Sequence, residues 1–472
     1  MPRPFPPTGL PEALARDGWW FDAPPMPAHP PQRARALRPA GLALLALVAL
    51  GDLLSWGHAP GLSVAVFALA LFGAGVTLRR PARWKGPLAL MGLAVLPVLE
   101  LVQPLSLALL GFGLLAALAL AQGTREQWGE AMAGLLLHLP QALPAALPGL
   151  WAARPRGLAP RAALRGWALP LGGGLVLLGL LMQANPILSD WLHSWQGPGL
   201  DLPRLVARAL FWAGLALLIW PLLTPAPLAR LPGLRPRALP GLNADAVARA
   251  LVLFNAVLAV QTGMDALFLW GGAALPQGMS AAEYSHRGAY PLMAAALLAG
   301  LFALLARPFL AEGRRLKPLM LLWIGQNVAL TASALLRLDH YVELYGLTWL
   351  RLAAAIWMAL VALGLMLVAA QIAQARSTRW LLIRCAALGL GTLYLCSFLN
   401  FAAVVARVNL NHPAPDMGYV CSLGPMAAAE LAAHPRGQVC LIELPRIEGW
   451  RDWGFRAARV LRYTEGVTEA VR

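Results

Sequence analysis

The chain has 472 residues, of which 59% are apolar and only 13% charged, and its mean hydropathy is +0.61. Soluble domains carry roughly a quarter charged residues, so a water-soluble fold is excluded. Lys and Arg (38) outnumber Asp and Glu (22) for a net charge of +16; in a soluble protein such an excess suggests nucleic acid, whereas in a membrane protein it marks cytoplasmic loops.

Residues 1–38 mix Pro blocks (Pro4, Pro6, Pro7, then Pro24, Pro25, Pro27, Pro30, Pro31) with Arg and contain no apolar run beside a cleavage site. They read as an irregular cytoplasmic tail without a secretory signal, in which Trp19, Trp20 and Phe21 form a candidate membrane-touching or partner-binding anchor.

From residue 39 onward, apolar blocks of the length that crosses a bilayer core recur. Eleven spans are expected, near 39–56, 61–78, 86–102, 104–121, 166–184, 205–223, 247–270, 288–306, 318–336, 349–370 and 381–404. The short third and fourth meet at Leu101-Val102-Gln103-Pro104, as a tight hairpin or one broken element. Residues 130–150 are also apolar, but Pro140, Pro144 and Pro148 remove helix donors, so an interfacial stretch is expected there.

Basic residues alternate from connector to connector. Those before the first span and in every second connector after it hold 25, among them Arg79, Arg80, Arg307, Lys317, Arg376 and Arg379, whereas the intervening connectors hold 5: Arg204, Arg208, Arg287, Arg337 and Arg351. The positive-inside rule then places the amino terminus in the cytoplasm, and an odd number of spans places the carboxyl terminus outside. Trp56, Trp84, Trp167, Trp270, Trp349 and Trp380 fall at span ends, the headgroup level that Trp prefers. The expected fold is an all-α polytopic integral membrane protein, with a tail (1–38), a helical membrane domain (39–405) and a small α+β module outside the membrane (406–472).

Within that module, Gly424 to Ala433 reads as a short helix, Val439 to Leu444 as a strand and Gly449 to Arg462 as an amphipathic helix. Cys421 and Cys440 lie in the compartment where a disulfide persists, and either a disulfide or two packed free thiols fits the sequence. Cys385 and Cys396 sit inside the last span, and no CxxC is present.

Polar groups inside spans are expensive in lipid and so are functional candidates by default. Asp52, Glu100 and Asp265 fall toward the outer ends of their spans, where the cost is lower and a solvated or Arg-paired helix end is the competing reading. Asn255, Gln261, Gln326 and Asn327 add hydrogen-bonding groups, most simply as interhelical ties.

The outward connectors are short and dense in reactive side chains: Asp190 to Trp195 including His193, then Glu283, Tyr284, His286 and Arg287, then Arg337, Asp339, His340, Tyr341 and Glu343, with Arg351 opening the next span. Three readings compete. Structural ion pairing is the plainest. A polar substrate or headgroup site would use Arg287, Arg337 and Arg351 to hold phosphate or carboxylate, with His286 or His340 exchanging a proton and Glu283 or Asp339 orienting it. A metal site would use the His residues, but no metal-ligand spacing is present. Nor is there a GxxxxGK[ST] loop, a GxSxG elbow, a kinase signature or a base-stacking basic stripe, so no cofactor and no nucleic acid is implied.

The segments GMSAAEYSHRGAYPL (278–292), LRLDHYVELYGLTWLRLAAAIWM (336–358), ARVNLN (406–411), CSLGP (421–425) and WRDW (450–453) resemble a family of bacterial polytopic membrane proteins, domain of unknown function 4173, close to the related 4153 group. The best marks are Glu283, Tyr284, Arg287 and Gly288, and Tyr341, Tyr345, Gly346, Leu347 and Thr348 followed by Arg351. The resemblance implies a bacterial inner-membrane location and carries no activity. Three functions fit: a sensor, scaffold or assembly component with an envelope protein partner; a transporter or channel with a polar site open to the periplasm; or an envelope enzyme acting on a lipid-linked or phosphate-bearing substrate.

Overall fold

The computed structural model describes residues 32–81, 83–123, 127–138, parts of 173–190, 201–224, 226, 228–229, 243–271 and 281–471. The tail with Trp19, Trp20 and Phe21, the segment around His193 and most of the expected fifth span lie outside the described residues. Among those described, every regular element is helical and none is a strand. In chain order they are α1 (Gln32–Ser55), α2 (Leu62–Arg79), α3 (Lys85–Glu100), α4 (Pro104–Gln122), α5 (128–138), α6 (Leu202–Leu223), α7 (Ala244–Asp265), α8 (Ala281–Ala306), α9 (Leu316–Tyr345), α10 (Trp349–Ala373), α11 (Thr378–Phe398), α12 (Phe401–Leu410), α13 (Met417–Cys421), α14 (Ala428–Ala433) and α15 (Phe455–Val471).

Seven helices among the described residues, not eleven, are long and apolar enough to cross a membrane. They make this a multi-pass membrane protein. Two more of the expected spans correspond to shorter apolar helices among the described residues, Pro39–Ser55 and Ala294–Leu310. α3 has 16 residues, about 24 Å, against a hydrocarbon core of about 30 Å. α3 and α4 form a hairpin, whose joint is tied by Ser106 Oγ accepting from Gln103 N (2.9 Å) and donating to Leu101 O (2.7 Å). The expected span 381–404 is two helices: α11 stops at Phe398, and Asn400 caps α12 by accepting from Ala403 N.

Contacts divide the chain into two units, residues 1–57, 67–90 and 114–231, and residues 58–66, 91–113 and 232–472. In the first unit α1 packs on α6. Asp52 accepts from Arg208 and, at 2.8 Å, from Trp212 Nε1, and the Arg208 guanidinium lies over the Trp56 and Trp212 rings at 5.9 and 5.5 Å. Arg79 donates to Leu222 O (2.7 Å) and Thr224 O (3.1 Å), carbonyls left open at the carboxyl end of α6.

In the second unit α9 is central and packs against α7, α8 and α10. Ala296, Ala299, Ala303 and Ala306 are all at most 1% exposed, a small-residue face that lets α8 approach its neighbours closely. Val247, Leu251, Met320, Ile324, Leu365 and Val368 fill the core between these helices.

The carboxy-terminal part has its own core, built on Ala402, Ala406, Leu410, Val420 and Leu431 and closed by the Cys421–Cys440 disulfide, with Cα atoms 5.2 Å apart. The expected strand at 439–444 is not formed. Val439 ends a short 3-10 turn, Cys440 is extended, and residues 441–444 form no regular element, with Leu441 94% exposed. This part is therefore helical and not α+β among the described residues. The last helix starts at Phe455 instead of Gly449, because Asp452 draws the chain into a turn by accepting from Glu448 N (2.6 Å) and Gly449 N (2.8 Å).

Candidate functional site

The polar residues expected inside the spans gather along the contact of α7 and α9. α7 buries the stripe Val247, Leu251, Asn255 and Asp265, spaced for one helix face, and α9 buries Met320, Ile324, Asn327, Thr331, Ala334 and Arg337. Two ties cross between them. Asn255 Nδ2 donates to Leu251 O (2.7 Å) of its own helix and to Leu319 O (3.1 Å) of α9. Farther along, Arg337 pairs with Asp265, the two side chains being 5% and 1% exposed, and Gln261 Nε2 donates to the same carboxylate at 2.9 Å. Just after Asp265 the helix widens into a π-turn, Ala266–Trp270, the kind of interruption that re-aims side chains at functional sites.

Along the two helices between these ties lie five buried polar atoms with no hydrogen-bond partner among the described residues: Thr262 Oγ1, Trp323 Nε1, Gln326 Oε1, Asn327 Oδ1 and Asn255 Oδ1 at the first tie itself. Asn327 is 11 residues from the start of α9, a rise of about 17 Å, whereas Arg337 is about 32 Å along. Leu319, at the first tie, is only about 5 Å along, so the seam covers most of the length of α9. Trp323 belongs to an aromatic cluster with Phe254 (5.3 Å) and Phe302 (6.2 Å), and that cluster flanks the seam. Thr262 and Trp323 carry no charge or motif, so only the helical spacing from Asp265 and Asn327 could have singled them out in the sequence.

Of the dense outward connectors, the side chains of 337–343 and Arg351 are described, and they point in different directions. Arg337 turns inward to Asp265, whereas Asp339, His340 and Glu343 are exposed, with His340 Nδ1 contacting Leu336 O of its own helix at 2.8 Å. Glu283, Tyr284, His286 and Arg287 fall in the first turns of α8, and their side chains lie outside the described residues.

Tyr341, Tyr345 and Arg351 instead build a joint at the α9–α10 turn. Arg351 donates to Tyr345 O (2.9 Å) and Gly346 O, and its guanidinium lies 4.6 Å from the Tyr341 ring centre. Gly346 takes φ +75°, and Thr348 caps α10 by accepting from Arg351 N. Asn409 of α12 clamps the turn, accepting from Leu347 N and donating to Leu347 O, both at 2.7 Å. Two of the motifs behind the sequence resemblance, Tyr341 to Thr348 and 406–411, therefore meet as a structural lock, and His412 Nε2 adds a contact to Glu343 O at 2.8 Å.

Glu100 likewise has a structural partner set. It accepts from Arg456 Nε (3.2 Å) and from Arg459, while Arg456 Nη2 donates to Ser397 O (2.7 Å), so α15 is fastened to the ends of α3 and α11. Burial lowers the Arg456 pKa, and its bond to Glu100 opposes that shift. Among the described residues no three His, Cys, Asp or Glu side chains converge as a metal set.

Residues 40–434 match the family described as Domain of unknown function (DUF4153). The chain belongs to the DUF4153 family. The match is to the 4153 group, the relative that the sequence motifs also suggested beside the 4173 group. No curated protein and no solved structure matches the chain. The DUF4153 match begins at the apolar part of α1 and ends just after α14, so it takes in the seam, the α9–α10 joint and Cys421 but not Cys440 or α15.

Proposed function

We propose that this DUF4153 protein is a bacterial inner-membrane transporter or channel, in which the α7–α9 seam carries a small polar species toward the outer end of the bundle. The observation that supports this reading is the row of five buried polar atoms without partners between the Asn255 tie and the Asp265–Arg337 pair. In hydrocarbon each unsatisfied group costs several kcal/mol, so such groups are retained where water or a solute meets them. A helix interrupted beside a buried carboxylate fits the same reading, since transport sites use broken helices and paired intramembrane charges. The alternation of basic residues supports an amino terminus in the cytoplasm and a carboxyl terminus in the periplasm.

Thiol accessibility tests the reading without knowledge of the solute. Single cysteines at Thr262 and Asn327, in a background with Cys385 and Cys396 changed to Ala, are exposed to a charged, membrane-impermeant methanethiosulfonate in sealed vesicles. A conducting seam reacts at both positions, and a lipid-facing Leu298→Cys control does not. Protection of both seam positions would mean a sealed structural interface and would overturn the reading.

A scaffold or assembly role is favoured by a different observation. The irregular 441–444 segment and the neighbouring Val439 present exposed apolar side chains from the disulfide-closed part, Val439 (75%) and Leu441 (94%), which suit docking of a partner strand. Changing both to Ser should release a bound envelope protein while leaving seam accessibility unchanged.

A further inference from the structure

At the other end of the second unit from the α9–α10 joint, a half-open cavity of about 1100 Å³ lies among the ends of α8, α9, α10 and α11. α10 has 25 residues, so the cavity and the joint are separated by about 37 Å, more than the thickness of a hydrocarbon core. Four cations line it: Arg307, Lys317, Arg376 and Arg379. No Asp or Glu is among the described lining residues. The cations are positioned by neutral acceptors that leave their charge uncompensated. Arg307 donates to Thr378 Oγ1 and to Arg376 O (2.7 Å), and Lys317 Nζ donates to Ala373 O (3.1 Å).

A second observation points the same way. Gln371 lines the cavity and is 1% exposed, yet its Nε2 has no hydrogen-bond partner among the described residues. A buried amide donor beside four uncompensated cations calls for an acceptor-rich anion. Arg guanidinium forks match the oxygens of a phosphate in particular. The remaining wall is apolar, with Ile372 buried, Leu304 partly exposed, and Leu382 and Ile383 about half exposed on α11. Free phosphate has no use for such a wall, whereas acyl chains do.

We propose that this cavity binds the phosphate headgroup of an anionic phospholipid, with Arg376 and Arg379 at its mouth, Arg307, Lys317 and Gln371 contacting the phosphate oxygens, and the apolar wall holding the first acyl carbons. Basic pockets between membrane helices recognise anionic headgroups in this way.

The test uses the full-length protein, delipidated in a neutral detergent and titrated with phosphatidylglycerol, phosphatidylcholine or inorganic phosphate while bound lipid is counted by native mass spectrometry. Phosphatidylglycerol should bind, phosphatidylcholine should not compete at equal mole fraction, and millimolar phosphate should not displace it. Arg376 and Arg379 are exposed, so changing both to Gln preserves the fold and should weaken phosphatidylglycerol binding about 20-fold. Arg462→Gln, on the distant α15, should leave binding unchanged. Equal binding of the two lipids, or full affinity in the Arg376→Gln, Arg379→Gln variant, would overturn the assignment. Displacement by inorganic phosphate would reassign the site to a soluble phosphate and refute the lipid.

Discussion

Arg337 and Asp265 face each other across α9 and α7 with side chains 5% and 1% exposed, while Asp339, two residues beyond Arg337, is fully on the solvent-accessible side. Two residues turn a helix by about 200°, so one short sequence cluster is divided between the bundle interior and its rim. Removing one partner of such a pair strands the other charge, at a cost of about 3–5 kcal/mol. Arg337→Ala and Asp265→Ala should each destabilise the protein by that order, whereas Asp339→Ala should change it by less than about 0.5 kcal/mol. Unfolding by titration with a denaturing detergent measures all three, and equal effects at 337 and 339 would contradict the division.

Cys421 and Cys440 are separated by 19 residues, and their disulfide closes a loop that runs from the end of α13 through α14 and the 3-10 turns on either side of it. Closing a loop of this size restricts the unfolded chain by about 3 kcal/mol. Cys421→Ser should therefore lower the stability of the carboxy-terminal part by that order, and reductant should reproduce the loss in the unaltered protein but add nothing to the variant. Amide exchange at Val420 and Leu431, both buried in this core, reports the change locally.

Gly346 is the residue whose backbone the α9–α10 joint depends on. Its φ of +75° disfavours any side chain, and a Cβ there would collide with Asn409 Oδ1. Gly346→Ala carries a backbone penalty of about 1–2 kcal/mol and also displaces the two Asn409 bonds to Leu347. Asn409→Ala loses those bonds without the backbone strain. Both variants should loosen the joint, with Gly346→Ala the worse of the two, as read by the melting temperature and by cleavage within 345–348.

Asp452 gives the protein an acid-sensitive point outside the membrane. The hydrogen bond from the Glu448 amide, more than the one from Gly449, holds its carboxyl below the usual range against the opposing effect of burial. A carboxylate with a depressed folded pKa contributes stability that is present above its unfolded value of about 3.9 and is lost as pH falls through the folded value. The turn it organises offers Trp453 O to Leu62 N (2.8 Å) and Arg451 O to Ser63 N (3.0 Å), the open donors at the start of α2. Exchange of the Leu62 and Ser63 amides, corrected for intrinsic rate, should therefore rise below about pH 4. Asp452→Asn should abolish that pH dependence.

Helix positions were legible in the sequence because a bilayer imposes one length and one composition on whatever crosses it. The boundaries of α2, α4, α6 and α10 fall within a few residues of the expected spans, whereas α9 runs on to Tyr345, nine residues past its expected end. The strand at 439–444 was misread because a short run of Val, Leu and Ile does not reveal whether a neighbouring strand exists to pair with it. Asn255, Gln261, Asp265, Gln326 and Asn327 were visible as costly groups in lipid. Their pairing was not, since it depends on how α7 turns against α9. Within the outward cluster, helical rotation and the inward carboxylate part Arg337 from Asp339 and His340, a division that their closeness in sequence does not reveal.

Glu100 and Arg456 link the membrane helices to the last helix, and here the prediction concerns local opening and not global stability. Glu100 accepts from Arg456 and Arg459, whose side chains are 5% and 49% exposed, so Arg456 bears most of the desolvation and Arg459 is largely screened by solvent. Glu100→Gln leaves the buried guanidinium beside an uncharged amide, with Ser397 O as its remaining acceptor. α15 should then detach more often, and trypsin should cut at Arg456, Arg459 and Arg462 on the order of a hundredfold faster if most of a buried pair is lost. Arg459→Gln should raise the rate of cutting at Arg456 only a few-fold, because that cation is half in water. If both substitutions accelerate cleavage equally, α15 is held by its apolar face, chiefly Ala457 and Val460, and not by the Glu100 carboxylate.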